Sequence, residues 1–219
     1  MIQLVIGNKN YSTWSLRAWL ALRKADIAFE EIRVPLYVDG YKEELLRHGP
    51  AGLVPVFKDG DFVLWDSLAI CEFAAEMRPA LWPADARRRA HARAISAEMH
   101  SGFRAIRSQI PMNCRARRQV AYSGEVLAEI RRVEAMWTQC RQHPSAADGG
   151  WLFGQFSIAD AMYAPLVLHF DTYGVSLNPI ASAYMKQVRD DADVRAWVAD
   201  ALREMEMINE CEVGVEQGG

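Results

Sequence analysis

The chain has no Cys-x-x-Cys pair, no histidine at metal-ligand spacing, no surplus of one charge and no apolar run near the length of a membrane span. Its four cysteines, Cys71, Cys114, Cys140 and Cys211, lie far apart in 219 residues, the pattern of reduced structural thiols rather than a disulfide framework. Without paired cysteines the ordinary dithiol oxidoreductase cycle is excluded. His48, His91, His100, His143 and His169 are equally dispersed, so no metal site is expected. With 25 basic and 28 acidic residues the net charge is -3, which gives no general attraction for a phosphate backbone, and nucleic acid is not an expected partner. The start MIQLVIGNKN lacks the basic segment and long apolar stretch of a secretion signal, so a soluble cytoplasmic protein without membrane partners is expected.

What is present is patterned. About half of the residues are apolar, enough for a sizeable core. Ile2 to Gly7 is apolar without alternation, the mark of a strand covered on both faces. From Ser15, the residues Leu16, Trp19, Leu20 and Arg23 recur at helical spacing, and Phe29 to Leu36 reads as a second strand, parallel to the first through a right-handed crossover. A short helix follows, and VPVFKDGDFVLWD then predicts a hairpin with a type I′ turn at Asp59 and Gly60. Ser67 opens the helix SLAICEFAAEM, which Pro79 stops.

PALWPADA marks a boundary, beyond which no strand pattern occurs. Long helices are expected over 87–109 and 115–142, broken by Pro111, with later ones over 157–170, 179–189 and 194–208, and a frayed tail CEVGVEQGG. The fold class is therefore α/β plus all-α, with a first domain over 1–79 and an all-helical one over 88–219.

Four short stretches carry chemical possibilities. In NYSTWS, a hydroxyl between the end of a strand and the first turn of a helix can donate to an anion held at the helix N-terminus, while Ser12, Thr13 or Ser15 can equally cap that helix. In GPAGLVPVF, Pro55 enters a hairpin strand at a plausible cis position, leaving the backbone of Val54 free to pair with an extended peptide. In WDSLAICEF, the hydroxyl of Ser67 and the first helical amides can hold a carboxylate, and Asp66 can pair with an ammonium. In GQFSIADAMYAPLVLHF, Ser157 and Asp160 form a capping box, a structural device.

The order and spacing of these stretches resemble the glutathione S-transferase family over nearly the whole chain. Within it, NYSTWSLRAWLAL looks most like the serine-type members and is similar to the Ser-Ser-x-Ser-x-Arg pattern of the zeta class and maleylacetoacetate isomerases. The resemblance implies a thioredoxin-like N-terminal domain, a C-terminal helical bundle, glutathione as cosubstrate without a metal, and a homodimer. Aligned on Arg17, the catalytic hydroxyl falls at Ser12, followed in rank by Tyr11 and Ser15. Val54 and Pro55 would present backbone to the cysteinyl part, Asp66 and Ser67 would hold the γ-glutamyl head, and Lys42 would stand near the glycyl carboxylate. Where many relatives have Lys or Gln before the Val-Pro pair, this chain has Leu53.

The electrophile pocket would be walled by Trp14, His100, Phe103, Arg104 and Met112. The implied activity is transfer of glutathione to a hydrophobic electrophile, a detoxification reaction. The alternatives are cis-trans isomerisation of a dicarboxylate, with Arg17 or Arg104 as the cation, and a non-enzymatic ligand-binding role.

Overall fold

The computed structural model describes residues 1–146 and 149–216. Its first part runs β1 (Gln3–Ile6), α1 (Thr13–Lys24), β2 (Glu30–Arg33), α2 (Tyr41–His48), β3 (Val56–Asp59), β4 (Phe62–Trp65) and α3 (Ser67–Met77). The four strands form one sheet in the order β2-β1-β3-β4, with β1 parallel to β2 and antiparallel to β3, and β3 antiparallel to β4. The unbroken apolar run of β1 is explained by its place inside the sheet. Leu4 and Ile6 join the large core that includes α1 and α3, while Val5 packs on the other face with Val34, Leu45 and Val56.

The β3–β4 turn differs from the type I′ expectation. Asp59 pairs with Phe62, so Gly60 and Asp61 are the central residues, and only Gly60 has positive φ (59°), the mark of a type II′ turn. The start of α3 is the expected one, at Ser67. Asp66, not Ser67, is the N-cap, its Oδ1 accepting from the amides of Leu68 (2.9 Å) and Ala69 (3.1 Å). Ser67 is therefore the first helical residue, and its hydroxyl is not used as a cap.

The remaining helices are α4 (Ala86–Ser101), α5 (Arg104–Gln109), α6 (Gly124–Gln142), α7 (Ile158–Tyr173), α8 (Pro179–Asp190) and α9 (Ala192–Ala201). The helix expected over 87–109 is broken at Gly102 and Phe103, before Pro111 is reached. Gly102 lies so close to the end of α4 that a Cβ there would sit 2.8 Å from the carbonyl oxygen of Glu98, and Phe103 adopts the left-handed conformation (φ 55°) that turns the chain into α5. The helix expected over 115–142 starts only at Gly124. Residues 118–119 instead form a short strand, β5 (Arg118–Gln119), paired with β6 (Val215–Glu216). Part of the tail expected to fray is thus docked; residues 217–219 of it lie outside the described residues.

Helix α1 joins the sheet to the helices. It packs on α3 and α7, and Trp19 meets Trp197 of α9 edge-on at 5.3 Å. Lys9 is buried between those two indoles, at 5.4 and 5.2 Å from the ring centres, with Glu31 and Asp200 each 2.7 Å from its ammonium. Pairing offsets the desolvation of this cation.

Helix α7 is the centre of the helical part. Every residue from Ser157 to Phe170 is buried, including Pro165 within the helix. The Ser157–Asp160 box fixes its start: the Asp160 carboxylate accepts from the Ser157 amide (2.8 Å), the Ser157 hydroxyl (2.9 Å) and the Leu152 amide (3.0 Å). Ser157→Ala is expected to lower unfolding free energy by about 0.5–2 kcal/mol. Thermal denaturation of parent and variant checks this, with a fall in Tm of roughly 2–4 °C per kcal/mol for a chain of this size.

Candidate active site

The site begins where β1 ends. Asn8 is wholly buried; its backbone carbonyl accepts from the amides of Tyr11 (3.1 Å) and Ser12 (2.8 Å), and its side-chain Oδ1 accepts from the Leu36 amide (2.8 Å). Asn10, also wholly buried, donates to Asn113 (2.9 Å) and accepts from the Arg115 amide (3.0 Å). The loop is thereby fixed from both sides and delivers Ser12 to the N-cap of α1.

Three groups then form a chain. The Gly7 amide donates to Ser15 Oγ (3.0 Å), and Ser15 Oγ lies 2.7 Å from Ser12 Oγ. Either serine can be the donor in that contact; with Ser15 donating, the Ser12 proton is left for an acceptor in the cavity. Ser12 Oγ also receives the Ser15 amide at 3.4 Å, the capping contact of α1. Ser15 has no exposed surface and stands behind Ser12.

Tyr11 is committed elsewhere. Its hydroxyl lies 2.5 Å from Glu212 and accepts from Arg115 at 2.9 Å; burial, then the Glu212 bond, push its ionisation above the ordinary tyrosine range.

Two cavities meet at this point, and Trp14, Leu53 and Val54 line both. The larger, about 380 Å³, takes in Ser12, Lys42, Arg107, Met112, His169 and Ile208. The smaller, about 220 Å³, takes in Pro55, Trp65, Asp66, Ser67 and His100. The Val54–Pro55 bond is cis, and among the described residues no hydrogen bond engages the Val54 backbone. Ser67 Oγ is buried without a partner, and Asp66 Oδ2 is 3.1 Å from His100 Nε2. A hydroxyl desolvated and left unsatisfied costs about 1–3 kcal/mol until a ligand supplies a bond.

The structure thus gathers Tyr11, Ser12, Trp14, Lys42, Val54, Pro55, Asp66, Ser67, His100 and Met112 around two adjoining cavities. It sorts His100 with Asp66 and Ser67 rather than into the electrophile wall. Phe103 and Arg104 line neither cavity: Phe103 is buried near Tyr163 (6.5 Å between rings), and Arg104 is exposed on α5. The kink at Gly102 and Phe103 turns Arg107 inward in place of Arg104. A straight helix gives no hint of that turn.

Arg107 and Arg17 flank the Trp14 ring at 4.8 and 4.4 Å, and His100 meets its edge at 5.3 Å. Arg17 is 1% exposed, with no partner for Nε or Nη1. Burial, reinforced by the charge of Arg107, pushes its guanidinium down to about 9. Arg107 donates to the backbone carbonyls of Met99 and His100, while its Nε has no partner. His169 Nδ1 lies 2.6 Å from the Ile110 carbonyl, so the proton sits on Nδ1 and Nε2 carries the lone pair. Burial, with Arg17 and Arg107 adding to it, pushes this imidazole down to about 4. The sequence signal for His169 was a lone histidine in an otherwise apolar helix.

No group of three or more His, Cys, Asp or Glu side chains among the described residues is placed to hold a metal ion, and none of their helices is long and apolar enough to cross a membrane.

Residues 11–77 match the model of the glutathione S-transferase N-terminal domain, and residues 89–200 that of the C-terminal domain. The chain belongs to the glutathione S-transferase family.

Among curated relatives, a probable maleylacetoacetate isomerase of Caenorhabditis elegans is 28% identical over 193 residues, covering 85% of this chain and 86% of the relative. The maleylacetoacetate isomerase of Rattus norvegicus is 28% identical over 173 residues, covering 76% and 77%. Among solved structures, a glutathione transferase homologue from Burkholderia gl BGR1 with bound glutathione superposes with a TM-score of 0.70 at 21% identity, covering 91% of this chain and 97% of that one. A theta-class enzyme from Xanthomonas axonopodis pv. citri, also with glutathione bound, gives a TM-score of 0.65 at 20% identity, covering 92% and 98%. These two likenesses concern the fold.

The neutral His169 makes a pH prediction. Its folded value lies below the ordinary 6.5, so the unfolded chain binds the extra proton first, and the stabilisation present above pH 6.5 is lost as pH falls through about 4. The amount is on the order of 3 kcal/mol. Chemical denaturation of the parent and His169→Gln at pH 7 and pH 3.5 is expected to show the stability gap between them shrinking by roughly that amount, the difference cancelling the other titrating groups.

Proposed function

We propose that the protein is a glutathione transferase in which Ser12 holds the glutathione sulfur as a thiolate for attack on an electrophilic carbon. The observation that supports this reading is the Gly7–Ser15–Ser12 chain beside the larger cavity: with Ser15 donating to Ser12, the Ser12 proton is left for a sulfur anion at the N-terminus of α1.

A free thiol near 8.5 is only a few per cent ionised at neutral pH, and lowering it by about 2 units takes roughly 2.7 kcal/mol of preferential stabilisation. A hydrogen bond to a charged acceptor supplies about 1.5–3 kcal/mol, and the helix terminus about 0.3–1 more. The two are sufficient. The thiol proton leaves to solvent, the sulfur forms its bond to carbon, and the leaving group departs with its electron pair.

The remaining residues fit a tripeptide lying along the sheet edge. Val54 offers its unpaired backbone to the cysteinyl unit, and the orphan Ser67 hydroxyl and the first amides of α3 suit the γ-glutamyl carboxylate. Asp66, facing His100, suits the ammonium. Lys42 stands on the side left for the glycyl carboxylate. In this reading residues 1–79 bind glutathione, residues 88–219 supply the acceptor side, and the protein works as a cytoplasmic homodimer.

A second reading is favoured by Arg17 and Arg107, two buried or half-buried cations with nitrogens unpartnered among the described residues. They suit an acceptor that brings its own negative charge. The same thiolate would then add reversibly to the double bond of a dicarboxylate, allow rotation and leave, in keeping with the names of the relatives.

Two measurements separate these readings. Ser12→Ala is expected to raise the pKa of bound glutathione by about 1–2 units and to lower kcat/KM roughly 10- to 100-fold. Ser15→Ala should do so less, and Tyr11→Phe should leave the bound thiol unchanged. Retention of the acidic thiol in Ser12→Ala would overturn the assignment. Arg107→Gln should weaken turnover of a cis-dicarboxylate roughly 10-fold or more while sparing a neutral aryl halide if isomerisation is the main activity; equal effects on both would leave conjugation as the reading.

A further inference from the structure

The segment that follows α9 returns over the site and is held at separate points along its length. Glu204 accepts from the amides of Lys9 (2.8 Å) and Asn10 (3.0 Å). Arg115 donates to the carbonyls of Glu204 and Glu206, and Glu206 pairs with Arg33 at 2.8 Å. Farther on, the Glu212 carboxylate gathers three donors from three places in the fold: the Tyr11 hydroxyl (2.5 Å), Asn113 Nδ2 (2.9 Å) and the Arg118 guanidinium. The β5–β6 pair closes the segment.

Between the Glu206 and Glu212 attachments lie Ile208 and Cys211, and both line the larger cavity with Ser12, Met112 and His169. Ile208 is only 2% exposed, so at this residue the strap is packed against the body of the protein.

From this arrangement we propose that Glu212 is a specificity-determining positioning residue: it pins the C-terminal strap so that Ile208 and Cys211 set the size of the acceptor pocket. The inference rests on the reading of the larger cavity as the acceptor side. It also gives Tyr11 a role. Its hydroxyl proton is spent on Glu212, which makes the phenol an attachment point for the strap while its neighbour Ser12 keeps the sulfur. Glu212 acts through side chains only, whereas Glu204 binds the backbone of the loop that carries Ser12; loosening Glu212 therefore moves the wall and spares the thiol site.

The test uses the full chain and Glu212→Gln, with Arg118→Gln, which removes another of the three donors to Glu212, as the second variant. Glutathione affinity and the pKa of the bound thiol are expected to stay within about twofold and a few tenths of a unit of the parent. The KM for a compact aryl halide should rise roughly 10-fold, and the parent's preference for it over an acceptor carrying an additional ring should fall by a similar factor. Amide hydrogen exchange should quicken across 208–216 in both variants and remain unchanged in α1. An unchanged acceptor preference with unchanged exchange overturns the proposal, as does a shifted thiol pKa with acceptor KM intact, which would place Glu212 in the thiol machinery. Failure of the parent itself to bind glutathione would instead remove the functional reading, while the exchange comparison would still decide whether Glu212 pins the strap.

Discussion

A single directed hydrogen-bond chain at the start of α1 orders the rest of the site. A serine hydroxyl both donates and accepts, and on the surface its proton would rotate freely. Here the Gly7 amide occupies one lone pair of Ser15, and when the Ser15 proton satisfies Ser12, the Ser12 proton is free for an acceptor in the cavity that Ser12 lines. In a buried setting such bonds polarise one another, so the outward proton is a better donor to an anion than an isolated serine would be. The two wholly buried asparagines, the Lys9 salt bridges and the Trp19–Trp197 contact all hold the loop in which this chain exists.

Around that donor the protein spends stability on groups left incomplete. Arg17 keeps a guanidinium out of water with two nitrogens unpaired, and Ser67 keeps a hydroxyl without a partner. Such groups are costly in the free protein and are satisfied when a ligand brings complementary atoms. Trp14, with the guanidiniums of Arg17 and Arg107 close to its ring, lines both cavities.

Much of this was legible in the residue order. The unbroken apolar run of β1, the crossover through α1, the hairpin and the capping box at Ser157 follow from local periodicity and turn chemistry, and local chemistry is what a linear sequence displays. Ser12, Val54, Pro55, Asp66 and Ser67, singled out in the sequence at strand ends and helix starts, line the two adjoining cavities. The departures arise where local and long-range forces compete. Gly102 breaks a helix whose residues otherwise favour continuation, because the chain must pass close to Glu98 and turn Arg107, not Arg104, toward Trp14. The tail has little helical or strand pattern of its own, yet Cys211 to Glu216 are docked by Tyr11, Asn113, Arg118 and β5.

The sequence by itself determined the strands and hairpin of the first sheet, the capping box of α7 and the absence of a Cys-x-x-Cys pair, since these depend on neighbours within a turn or a strand. The tertiary structure alone decided that Ser15 stands behind Ser12, that Arg107 rather than Arg104 lines the cavity, and that Ile208 and Cys211 form part of its wall. Those outcomes depend on groups about 100–200 residues apart, such as Tyr11 with Glu212 and Asn10 with Asn113, brought together only when the common core around α1 and α7 excludes water.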